Sequence, residues 1–174
     1  GMNMTYVLSH LKTGSQTFSY LLAILVLALV FVVMIFGSEP KDFVELLLVT
    51  FGPVFITLSG GLIFSTLYCW QRQLDYEAEP SRRHPWTQAG MHLADGLSTL
   101  ALTFTLLGIS LGIGTLTEKS LTPETIQLVI KDLTKHFSLA FMTTVFGLPI
   151  AAVLRALIQI TETKCASQPL RLPR

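Results

Sequence analysis

Apolar runs of about twenty residues recur along the chain, separated by short polar breaks, and this pattern predicts membrane-length helices. The first run, Phe18 to Phe36, is uninterrupted and ends at Gly37-Ser38-Glu39-Pro40, turn residues that leave only a few positions before the next span. A tight helical hairpin is expected there. The second run, about Phe43 to Trp70, would extend about 42 Å at 1.5 Å per residue, more than a bilayer core needs, so it must tilt or protrude. Gln71 to Pro85 is polar and charged and is expected as a short cytoplasmic loop, with Trp86 to Leu93 leading amphipathically into a third span, about Leu93 to Leu116. After a second turn, Thr122-Pro123-Glu124 carries the signals of a helix start: a capping hydroxyl, proline at the first position and an acid in the first turn. That helix runs into the fourth span, Phe137 to Ile160.

The fold class expected is therefore all-α, a polytopic membrane protein with four transmembrane helices. Composition agrees: of 174 residues, 51% are hydrophobic and only 13% are charged, too apolar a balance for a soluble domain of this size. Basic residues set the orientation. Lys12, Arg72, Arg82, Arg83, Arg155, Lys164, Arg171 and Arg174 fall on one side, against Lys41, Lys119, Lys131 and Lys135 on the other, which predicts both termini in the cytoplasm. Three parts follow: residues 1–92, a transmembrane hairpin with the short loop; 93–160, a core helix pair; and 161–174, a cytoplasmic tail. Cys69 and Cys165 are isolated and on the reducing side, so no disulfide is expected.

The last two spans differ from plain anchors. Ala101, Thr105, Gly108 and Gly112 line one ridge of the third span, with Thr99, Thr103 and Ser110 on an adjacent strip, and Ala140, Thr144, Gly147 and Ala151 repeat the ridge on the fourth beside Thr143. Small residues such as Gly108, Gly112, Gly147, Ala140 and Ala151 let backbones approach closely. The hydroxyls of Thr144, Thr143, Thr105, Thr103 and Ser110 offer oxygen atoms to a passing hard cation, or alternatively bond back to the turn below. Pro53 and Pro149 predict bends near Val49 and Val145. Ionisable groups stand only near span ends: Glu45, Asp95 and His136. A proton carrier needs a titratable group at depth, so that group is expected from another chain, with Asp95 and His136 as gating candidates at the inner and outer ends.

The run Ser98-Thr99-Leu100-Ala101-Leu102-Thr103-Phe104-Thr105-Leu106-Leu107-Gly108-Ile109-Ser110-Leu111-Gly112-Ile113, followed by Leu139-Ala140-Phe141-Met142-Thr143-Thr144-Val145-Phe146-Gly147-Leu148-Pro149-Ile150-Ala151-Ala152, resembles the two core helices of the MotA/TolQ/ExbB ion-channel family over about 70 residues. Leu107, Gly108, Gly112 and Ile113 fill the family's L-x-G-x-x-x-G-I pattern, and Ala140, Thr144 and Gly147 its A-x-x-x-T-x-x-G pattern. The resemblance implies a homo-pentamer in the bacterial inner membrane around two copies of a single-span partner similar to ExbD, TolR or MotB. That partner's aspartate would complete a path for H+ or Na+ along Thr144. Two departures stand out: Leu139 and Ser138 lie where ExbB and TolQ members carry a glutamate, and Ile109 where they place a hydroxyl after the first glycine. The large cytoplasmic insertion of MotA is reduced to Gln71–Trp86, which speaks against torque on a flagellar rotor.

Paired redox cysteines, histidines within helices and a serine–histidine pair at depth are all missing, which excludes quinone-linked thiol enzymes, haem carriers and intramembrane serine proteases. The chain is expected to be no enzyme, to hold no cofactor or metal and to bind no nucleic acid. A small proton-coupled transporter using Glu45 is the alternative function, with stoichiometry as the discriminator.

Overall fold

The computed structural model describes residues 2–37 and 40–168, with side chains at all of these except 2, 20, 28–36, 40 and 42–51. Four helices make up the described chain: α1 (Met2–Phe36), α2 (Pro40–Asp75), α3 (Pro80–Glu118) and α4 (Ile126–Ser167), with no strand among the described residues. Among the described residues, three segments are long and apolar enough to cross a membrane: Gly52–Asp75, Pro80–Glu118 and Ile126–Ser167. At 39 and 42 residues, α3 and α4 are about 58 and 63 Å long, roughly twice the 30 Å hydrocarbon thickness. Half of each helix therefore has to stand outside a bilayer.

Charge placement identifies which parts. Residues 96–117 of α3 and 137–154 of α4 carry no charged side chain. Ion pairs between the two helices flank this stretch: Asp95 with Arg155 at one end, and Lys119 with Asp132 at 2.8 Å at the other. Residues 80–94 of α3 and 156–167 of α4 project from the Asp95 end together with the end of α2 and the beginning of α1, and residues 126–136 of α4 extend past the other end.

Helix α3 packs most extensively on α4; α2 lies against both, and α1 packs along α2. The antiparallel α3–α4 contact is close throughout. A Cβ on Gly147 would collide with that of Ala101, one on Gly108 would lie 2.6 Å from that of Ala140, and one on Gly112 would lie 3.0 Å from the Phe137 ring. At the other end Gly90 admits Ile158 in the same way. Leu67, Ala94, Leu97, Ala151 and Leu154 form the buried apolar cluster where α2, α3 and α4 meet, and Phe55 sets its ring edge-to-face on Phe104 of α3.

Three expectations are corrected. The polar stretch Gln71–Pro85 is mostly helical, and only residues 76–79 connect α2 to α3. Within it Arg72, Gln73 and Arg83 are buried by tertiary partners, as described below, while Asp75, Glu77, Glu79, Ser81, Arg82 and His84 stay exposed. The interruption in α2 falls at Gly52, whose φ of 76° only glycine adopts freely, with Pro53 beside it as the residue lacking a backbone donor. Helix α4, which includes Pro149, begins at Ile126 and not at Thr122. The Thr122-Pro123-Glu124 turn precedes that start, with the Ile126 amide already donating to Thr122 O at 3.0 Å.

Candidate functional site

Two polar sites are built into the helix contacts, one in the uncharged stretch and one at the projecting end. In the uncharged stretch, Thr105 of α3 faces Thr143 and Thr144 of α4. The Thr105 and Thr143 hydroxyls are 2.9 Å apart, and Thr144 Oγ1 also bonds Thr105 Oγ1. Backbone carbonyls close the group: Thr105 Oγ1 lies 2.9 Å from Ala101 O and 3.0 Å from Ala140 O, and Thr143 Oγ1 donates to Ala140 O at 2.7 Å. This proximity depends on Ala101, Gly108, Ala140 and Gly147, since larger side chains at these positions would hold the backbones apart.

The three threonines are not equivalent. Thr105 and Thr143 are buried between the helices, whereas Thr144 sits half-buried at the edge of the seam. On α4 the buried row is thus Ala140, Thr143, Gly147 and Ala151, with Thr144 beside it. Thr99, Thr103 and Ser110 are exposed on another face of α3, and the Thr103 hydroxyl returns to Thr99 O at 2.7 Å. Gly112 is buried against Phe137 and His136 Cβ.

The ionisable candidates lie at the ends of this seam. Asp95 is paired with Arg155 across α3 and α4. His136 is exposed, and its Nδ1 donates to Asp132 O at 2.8 Å. The Glu45 side chain lies outside the described residues. Among the described residues, no cluster of three or more His, Cys, Asp or Glu side chains is arranged to hold a metal ion. What the seam offers chemically is hydroxyl oxygen close to an exposed apolar surface formed by Leu102, Leu106, Phe141, Val145 and Phe146.

At the projecting end, Glu162 of α4 gathers side chains from two other helices. Arg83 Nε donates to Glu162 Oε2 at 2.9 Å, the Thr87 hydroxyl donates to the same oxygen at 2.9 Å, and Gln73 Nε2 of α2 reaches it at 3.3 Å. Arg83 Nη1 also donates to Glu77 O at 2.6 Å, and His84 Nδ1 lies 3.2 Å from Glu162 Oε1. Arg83 and Arg72 each retain only 2% of their surface and Gln73 none. Burial alone would push the Glu162 carboxyl up, but donation from Arg83, Thr87 and Gln73 and the Arg83 charge outweigh it and hold the group below the usual carboxylate range.

A second group fastens α1 to this end. Arg72 stacks between the rings of Tyr76 and Trp86, 5.3 Å from each centroid, and donates to Ser9 Oγ at 2.7 Å. His10 bonds the Tyr68 hydroxyl and stacks on that ring at 6.0 Å. Trp70 Nε1 donates to Thr161 Oγ1 at 2.9 Å, joining α2 to α4.

Sequence reasoning singled out none of Arg72, Gln73, Arg83, Thr87 or Glu162 as partners, although a usable signal exists. Continuing the small-residue ridge of α3 backwards at steps of three and four from Ala101 passes Leu97, Ala94 and Gly90 and arrives at Thr87 and Arg83, all buried. The same walk along α4 from Ala151 passes Leu154 and Ile158 to Thr161, next to Glu162, and Cys165. Both cysteines are buried and free. No protein-family model, curated protein or solved structure matches the chain.

Proposed function

We propose that this chain is the ion-conducting subunit of a membrane motor driven by a proton or sodium gradient. In this reading it spans the bacterial inner membrane four times with both termini in the cytoplasm. Five copies form a ring around two copies of a single-span partner similar to ExbD, TolR or MotB, whose aspartate supplies the titratable group. The observation that carries the reading is the threonine group of the α3–α4 seam, set within stretches free of charged residues. Thr105 and Thr143 have their hydroxyls closed onto carbonyls and hold the helices together. Thr144, at the seam's edge, is the oxygen best placed to pass a cation or proton to an acid on a neighbouring helix.

The division of labour is testable. The chain is co-expressed with a single-span protein that carries a membrane aspartate, and gradient-driven ion flux is followed in membrane vesicles. Thr144→Val is expected to abolish flux while the assembled complex keeps its mass; unchanged flux would remove Thr144 from the ion path. Thr143→Val is expected to lower stability slightly and leave flux in place.

A further inference from the structure

The oxygens around Thr105 fix the direction in which the Thr144 hydroxyl points its proton. Thr105 Oγ1 stands 2.9 Å from Ala101 O and 3.0 Å from Ala140 O, and it also bonds Thr144 Oγ1. A carbonyl oxygen only accepts, and a threonine hydroxyl has one proton to give. If Thr105 gave its proton to Thr144, its lone pairs would face both carbonyl oxygens with nothing between them. Thr105 therefore donates to a carbonyl and accepts from Thr144. Ala140 O, one turn below Thr144, offers that proton no alternative, because it already takes the Thr143 hydroxyl at 2.7 Å and a backbone amide of α4. Among the described residues Thr144 makes no other side-chain hydrogen bond, so its lone pairs stay free at the half-buried edge of the seam.

We infer that Thr105 is a positioning residue that makes Thr144 an acceptor only, so that the seam receives the partner's carboxyl group in its cation-loaded form and not as the bare carboxylate. A protonated carboxyl donates to the Thr144 oxygen, and a Na+ carried by the carboxylate is ligated by it. A bare carboxylate brings only lone pairs and finds no proton there. A hydroxyl free to turn would behave differently, because it would donate to the carboxylate and hold the empty state in the seam. With Thr105 accepting its proton, Thr144 is kept from that rotation. The inference rests on the ion-path reading proposed above and adds which state of the neighbouring acid the path accepts.

The test follows flux through the co-expressed complex against pH in sodium-free vesicles and against Na+ at fixed pH, which separates the two cations. Thr105→Val removes the acceptor of the Thr144 proton, and Thr105→Ala removes it without filling the space. Both are expected to keep flux but to move half-saturation by the driving ion about tenfold towards higher concentration, about one pH unit lower for H+, because the released proton now stabilises the bare carboxylate. Thr105→Ser keeps the hydroxyl and is expected to keep the wild-type half-saturation. The shift in Thr105→Ala supports the inference even if Thr105→Val fails to assemble. Unchanged half-saturation in the variants that assemble would overturn it, as would an equal shift in Thr105→Ser. Loss of the complex or of all flux in both variants would give Thr105 a structural role alone and would overturn it too. Unchanged flux in Thr144→Val removes the ion path itself, whereas lost flux there with unshifted Thr105 variants refutes only the orientation.

Discussion

The α3–α4 contact solves two different problems along its length. In the uncharged stretch the helices are held by small residues and by threonine hydroxyls that bond to carbonyls, with no ionisable side chain between them. At the projecting end the same two helices, with α2, surround a guanidinium, a carboxylate, an amide and a hydroxyl. Lipid gives helices no hydrophobic reason to associate, so close backbone approach and modest hydrogen bonds do the work there. Beyond the membrane, competing water would weaken exposed polar contacts, and the Arg83–Glu162 pair holds because it is largely buried and its two members hydrogen-bond one another.

The comparison breaks most sharply at Glu162. Glu162→Ala leaves Arg83 buried without its carboxylate, and the expected loss is about 3–5 kcal/mol, read as a large drop in the melting temperature of the purified protein. A melting temperature like that of the wild type would show that the Arg83 cluster does not hold α2, α3 and α4 together. In the other region, Gly147→Val forces a Cβ and two methyl groups into the space now filled by contact with Ala101, at an expected cost of about 1–3 kcal/mol. Its melting temperature should fall less than that of Glu162→Ala.

Acid should act on only one of the two regions. Because the folded Glu162 carboxyl lies below its ordinary value of 4.5, its stabilisation is fully present above that value and is lost as the pH falls through the lower folded value. Tryptophan fluorescence at Trp70 and Trp86 should report loosening of the projecting end below about pH 4.5, and Glu162→Gln should remove this acid-dependent step. The smallest effect is expected at Thr143→Val, about 0.6 kcal/mol, the average for a hydroxyl bond between membrane helices. A loss several times larger would mean that the seam depends on its hydroxyls more than on its glycines.

Helix type and the location of the close contact were legible because both rest on spacing. The apolar runs are long, and Ala101, Gly108, Gly112, Ala140, Gly147 and Ala151 repeat at helical intervals, all of them lying at the α3–α4 contact. The choice between Thr143 and Thr144 as the buried member was not legible. Adjacent residues on a helix point about 100° apart, and only the crossing of two particular helices decides which one turns inward. Gln71–Pro85 misled for a different reason. Its arginines, glutamines and prolines have the composition of a loop, and the burial of Arg83 and Gln73 is made favourable by Glu162, far along the chain.

The amino-acid sequence by itself determined that this is a helical chain with membrane-length apolar segments and a small-residue ridge on each of the last two, because hydrophobic length and periodicity are local properties. Tertiary structure alone decided that Arg83, Thr87, Gln73 and Glu162 converge, and that Thr105 meets Thr143 and Thr144. The cost of burying a charge or hydroxyl is offset only by partners from distant parts of the chain, and those partners are known only once the helices have packed.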